Sequence, residues 1–226
     1  MYNALSRNNI IVMPTKMTTP QINQAKVFNG LVLTLAFISG FIIMSVELLG
    51  GRILAPYFGS SIYVWGSIIT IFMMSLAIGY LLGGRLSLRN SNLLTYGFFY
   101  IAAAITLMPT ILLGENMMDA VFLRIEDPRY GSLVASILLF FLPTTILGLI
   151  APYSVRLLVT HADQSGAIAG GLYFVSTLGS ALGTLATSFY FILWFDINEI
   201  LFTMGAALLI SGGIAILGHY KLNSRG

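Results

Sequence analysis

Six long stretches of this chain carry no charged residue: 27–46, 53–84, 90–114, 130–155, 164–195 and 200–220. Each matches or exceeds the roughly 20 residues that an α-helix needs to cross a bilayer. Hydrophobic residues make up 57% of the 226 and charged ones only 8%, where a soluble domain carries about a quarter of its residues charged. A soluble fold of this size has nowhere to hide so much apolar surface. The sequence therefore predicts an all-α, polytopic transmembrane helical bundle. Its six helices are expected at about 27–49, 62–84, 92–113, 131–158, 167–194 and 200–219. Residues 1–26 are expected as a flexible polar tail, 27–220 as the transmembrane domain and 221–226 as a short C-terminal tail.

Charge placement gives an expected orientation. With the N-terminus in the cytoplasm, the inner segments hold Arg7, Lys16, Lys26, Arg85, Arg89, Arg156, Lys221 and Arg225, and the outer ones hold Arg52, Arg124 and Arg129. The positive-inside rule then puts both termini in the cytoplasm, of a bacterial inner membrane. The N-terminal tail does not read as a cleavable signal, because the apolar run behind it is too long. The tail contains Pro14 and Pro20, and Met13 or Met17 are alternative starts that would shorten it. With no cysteine, disulfides and thiolate metal sites are excluded. No basic run carries interleaved aromatics, so nucleic acid is not an expected partner.

Against this apolar background, Glu47 and Arg52 stand out in Ser45-Val-Glu-Leu-Leu-Gly-Gly-Arg52. Glu47 lies about 24 Å along a helix that starts near Leu31. Ionisable groups at membrane depth mark function by default. Gly50-Gly51 and Pro56 suggest a broken helix, which survives at that depth only against protein or a water-filled cavity. One reading is a polar pocket in which Glu47 binds a cation or a proton. Arg52 then pairs with it or holds an anion, with Tyr57, Ser60, Ser61 and Tyr63 as further hydrogen-bonding groups. The other is a structural ion pair at the interface, with Tyr57, Tyr63 and Trp65 as an aromatic belt.

Further motifs read as packing or as moving parts. Gly79 and Gly83 share a helix face, followed by Arg85 and Arg89, in a run that resembles the glycine-arginine loop of major facilitator transporters. Pro143 and Pro152 are expected to kink helix four. Helix five holds Gly166, Gly170, Gly171, Gly179 and Gly183, which suggests a tightly packed central helix, with Tyr173 facing a cavity or simply packed. Met117, Met118, Val121, Phe122 and Ile125 recur at helical spacing, which predicts a short amphipathic helix lying at the outer interface. His161 and His219 have no partner at metal-ligand spacing, and no cofactor is expected.

A faint internal repeat is also present. Leu54-Ala-Pro-Tyr57 returns as Ile150-Ala-Pro-Tyr153, and Gly79 and Gly83 return as Gly179 and Gly183. A three-helix unit repeated once must be inverted in the membrane, the 3+3 arrangement of half a major facilitator transporter.

Taken in order, four motifs resemble the membrane domain of spermidine synthase-like fusion proteins (the fused major facilitator/spermidine synthase family). They are Ser45 to Arg52 with Phe58-Gly-Ser-Ser61; Gly79 to Arg85; Pro143-Thr-Thr-Ile-Leu-Gly148; and Gly171-Leu-Tyr-Phe-Val-Ser-Thr-Leu-Gly-Ser-Ala-Leu-Gly183. Ser176 stands where the family typically has asparagine. Family members continue into a soluble aminopropyltransferase domain, whose catalytic residues have no counterpart here, so catalysis is not expected. The resemblance implies a transport or binding module for a small cationic metabolite such as a polyamine. The alternative is a membrane scaffold or anchor for a soluble enzyme or larger complex. Six helices are few to enclose a pathway, so the expected partners are the lipid bilayer and either a second copy or a cytoplasmic or membrane protein.

Overall fold

The computed structural model describes residues 19–223 apart from Asn90 and Thr160. Within them the chain forms α1 (Thr19–Phe58), α2 (Ile62–Ser87), α3 (Leu93–Phe122) and α4 (Pro128–Leu158). A 3-10 turn (Ala162–Gln164) leads into α5 (Ser165–Ala186). A π-helical turn (Thr187–Phe191) and the short α6 (Ile192–Trp194) complete that crossing, and α7 (Ile197–Asn223) follows. Six segments are long and apolar enough to cross a membrane, so the chain is a multi-pass helical membrane protein. Residues 1–18 of the expected tail, with Arg7, Pro14, Lys16 and both alternative starts, lie outside the described residues, as does Arg225. Residues 19–26 already belong to α1.

The expected break in the first helix does not occur. α1 runs unbroken for 40 residues, about 60 Å at 1.5 Å per residue. Pro56 sits in its last turn, where a missing N–H costs a single bond to the Arg52 carbonyl. The glycines serve close approach instead. A Cβ on Gly50 would lie 3.1 Å from the Phe140 ring, and one on Gly51 would lie 2.7 Å from the Trp65 ring.

Helices α1 and α4 form the centre. α2 lies along α4, α5 along α1, and α3 packs on both α4 and α7. Each three-helix half thus sends its middle helix to the first helix of the other half. Glycines make both exchanges possible. A Cβ on Gly79 would collide with the Thr145 carbonyl and lie 2.7 Å from the Gly148 Cα; one on Gly83 would lie 2.6 Å from the Leu149 carbonyl. On α5, Cβ atoms at Gly179 and Gly183 would collide with the carbonyls of Phe37 and Phe41 on α1. Backbones this close gain dispersion contacts in a lipid solvent that offers no hydrophobic drive between helices.

Two expectations fail here. Helix five is peripheral rather than central: Gly166, Gly170 and Gly171 face open space, and α5 buries only Leu172, Gly179 and Gly183. Two glycines suffice to seat it on α1, and the others add no contact. The amphipathic stretch after Gly114 is not a separate interfacial helix either. It is the continuation of α3 to Phe122, with Gly114, Met118 and Val121 turned into the bundle. Phe122 packs edge-on against Tyr57 and Phe58 at centroid distances of 6.0 and 5.8 Å.

Interhelical hydrogen bonds hold the apolar packing in register. Ser67 and Ser132 join α2 to α4 at 2.9 Å. Tyr96 on α3, fully buried with Tyr100 and Tyr153, bonds Ser154 on α4 at 2.6 Å. Pro143 cannot supply the N–H that would normally reach the Leu139 carbonyl, and the Thr110 hydroxyl on α3 donates to that carbonyl at 2.8 Å. α4 remains one continuous helix through Pro143 and Pro152, and at Pro143 the released carbonyl finds a replacement donor on a neighbouring helix.

Candidate functional site

Chain connectivity sorts the charged groups to two ends. The turns at 59–61, 123–127 and 195–196 share one end with Arg52, Arg124, Arg129 and six carboxylates: Glu115, Asp119, Glu126, Asp127, Asp196 and Glu199. The opposite end holds Lys26, Arg85, Arg89, Arg156 and Lys221 against Asp163 alone among the described residues. Glu47 is the one carboxyl between them, about 17 Å from Phe58 along α1.

Glu47 is half-buried and, among the described residues, has no ion pair or hydrogen bond. The expected pairing with Arg52 is absent for a geometric reason. Five residues turn a helix through about 140° beyond a full revolution, so the two side chains leave α1 on different faces. Ser45, two residues before Glu47, is fully buried and donates to the Phe41 carbonyl at 2.9 Å and the Gly183 carbonyl at 3.4 Å, which ties α1 to α5.

Arg52 and Tyr57 do meet, in a cavity of about 610 Å³ at the acidic end between α1, α3 and the start of α7. Thr110, Glu115, Asp196 and Glu199 share its lining. The Glu199 carboxylate accepts from the Asp196 backbone N–H at 3.2 Å, a contact at the helix start of the kind that satisfies a backbone donor there. Glu115, Asp196 and Glu199 are not among the site residues expected from the sequence. The Asp-x-x-Glu spacing at 196–199 was the available pointer to a helix start there.

The other expected site residues are distributed elsewhere. Ser60 is exposed in the α1–α2 turn, and the Ser61 hydroxyl has no hydrogen-bond partner. Tyr63 meets Arg129 at the start of α4, whose guanidinium lies 4.9 Å from the ring centroid and donates to the phenol oxygen at 3.5 Å. Tyr173 projects from α5 beside Tyr80 and Ser176 into a small recess of about 30 Å³. Since Ser176 lies level with Gly40, Tyr173 sits about 15 Å below Glu47 along the bundle. The single polar pocket expected around Glu47 is therefore not assembled; the expected residues fall into four separate places. Gly79, Gly83 and Pro143 belong to the helix contacts already described. Pro152 packs near Gly83, with its Cγ 2.9 Å from where a Cβ there would be, and Arg85 is exposed at the basic end.

Among the described residues no three His, Asp or Glu side chains converge as a metal site. Comparison with protein-family profiles, curated proteins and solved structures finds no match to this chain.

Proposed function

We propose that the chain is a non-catalytic transport or binding module for a small cationic metabolite, with Glu47 as the cation contact. One observation carries this: a half-buried carboxyl in a membrane-spanning helix with no protein partner among the described residues. Such a group is costly in hydrocarbon, and a carboxyl kept without a counter-charge is suited to meet a mobile one. A polyamine fits the charge requirement and the resemblance noted above, and the exchange of middle helices between the two halves supports a 3+3 inverted, half-major-facilitator arrangement. The excess of cations at one end supports cytoplasmic termini in a bacterial inner membrane.

The test is binding of radiolabelled spermidine and putrescine to the purified chain in detergent. Glu47→Gln should abolish binding while leaving the thermal unfolding profile intact. Equal binding by the variant sinks the proposal.

A second reading is a membrane scaffold for a soluble enzyme or a larger complex. Its support is the crossing from α5 to α6, the least buried of the six, whose α5 is held by α1 along one face and which presents Phe174, Phe189, Tyr190 and Trp194 outward. It predicts a stable heteromer on gentle extraction and no effect of Glu47→Gln. A homodimer without a foreign partner speaks for the transport module.

A further inference from the structure

The acidic-end cavity is separate from Glu47, which does not line it. Its three walls carry opposite charges. Arg52 projects from α1, Glu115 from α3, and Asp196 and Glu199 from the start of α7. Carboxylates alone would describe any solvated loop; a guanidinium lining the same concave space is a different arrangement. Among the described residues none of these charges forms an ion pair with another. Glu199 is already engaged by the Asp196 backbone, which leaves Glu115 and Asp196 as acceptors for an incoming cation and Arg52 as a fork for an incoming carboxylate.

Glu199 also lines a second recess of about 180 Å³ whose other walls are chiefly apolar: Phe191, Phe195, Ile200 and Met204. A bipolar cavity beside an apolar recess matches a molecule with a cation, an anion and an apolar side chain on one small frame. No metal-type convergence of carboxylates occurs here, so the cation it suits is an ammonium, held by separated acceptors.

We infer that this cavity binds the zwitterion of an apolar α-amino acid, its carboxylate on Arg52, its ammonium between Glu115 and Asp196, and its side chain toward Phe191 and Ile200. The site is additional to Glu47 and does not depend on the polyamine reading.

Calorimetry and thermal shift on the whole purified chain in detergent test this with four probes: L-leucine, L-phenylalanine, L-leucinamide and N-acetyl-L-leucine. L-leucine or L-phenylalanine should bind and raise the unfolding temperature. The amide, which lacks the carboxylate, and the acetyl derivative, which lacks the ammonium, should each bind at least about tenfold more weakly, as expected for losing a charge-assisted contact. Arg52→Gln, an exposed position, should weaken L-leucine by a similar factor and leave L-leucinamide unchanged, and Glu115→Gln should weaken both. Glu47→Gln should leave L-leucine binding intact, which separates this site from the cation site. Leucinamide binding as tightly as leucine would overturn the inference in favour of a simple cation vestibule. Absence of binding by both amino acids, or full binding by Arg52→Gln, would overturn it outright.

Discussion

Removing the Thr110 hydroxyl tests the account of how α4 tolerates a proline at its centre. Thr110 is 3% exposed and Leu139 1%, so no water reaches the Leu139 carbonyl if the 2.8 Å bond between them is lost. In Thr110→Val the shape is kept and a buried acceptor is left bare. Hydrogen bonds between membrane helices average about 0.6 kcal/mol and reach about 1.7. An unsatisfied buried group costs about 1–3 kcal/mol. Because Pro143 leaves this carbonyl no intrahelical alternative, we expect a cost near the upper end for interhelical bonds, about 1.5 kcal/mol. For a chain of this size that is roughly a 3–6 °C fall in unfolding temperature. Differential scanning fluorimetry on Trp65 and Trp194 in detergent would record it. The decisive comparison is Thr110→Val in a Pro143→Ala background, where the restored N–H of residue 143 can take the Leu139 carbonyl. There the hydroxyl's removal should cost little, giving a coupling of about 1 kcal/mol in the double-mutant cycle. Equal costs in both backgrounds would refute the reasoning.

Two glycines of α2 should respond with opposite signs. Gly79→Ala pushes a methyl group into the α4 backbone and should destabilise by about 1–3 kcal/mol, whereas Gly84→Ala meets nothing within 4 Å and should stabilise by about 0.5–1 kcal/mol through reduced chain entropy; matching shifts in the same scanning experiment would contradict the α2–α4 packing. The absence of native cysteine makes topology directly readable: Ser60→Cys should react with a membrane-impermeant maleimide on intact cells and Asp163→Cys only after lysis, and the reverse pattern would invert the orientation.

The fold class was legible because bilayer crossing is a local requirement. A run such as 130–155 declares itself by length and lack of charge, whatever it packs against. Helix ends were less legible. Gly50, Gly51 and Pro56 carry the composition of a break, yet the chain continues through them, because Trp65 and Phe140 use the glycine gaps for packing and Pro56 falls where few bonds remain to lose. Helix five misled for a related reason. Glycine density reports where close approach is permitted, and only Gly179 and Gly183 meet a neighbour.

The sequence by itself determined six crossings, a charge contrast between the two ends, and a carboxyl stranded at membrane depth. These follow from composition and from the 1.5 Å rise of a helix. Which residues meet was decided only in three dimensions. Glu47 and Arg52 are five positions apart and point away from each other, whereas Arg52, Glu115 and Asp196 are far apart in the chain and line one cavity. Helical periodicity fixes the face from which a side chain leaves; only the packing of α1, α3 and α7 fixes what that face confronts.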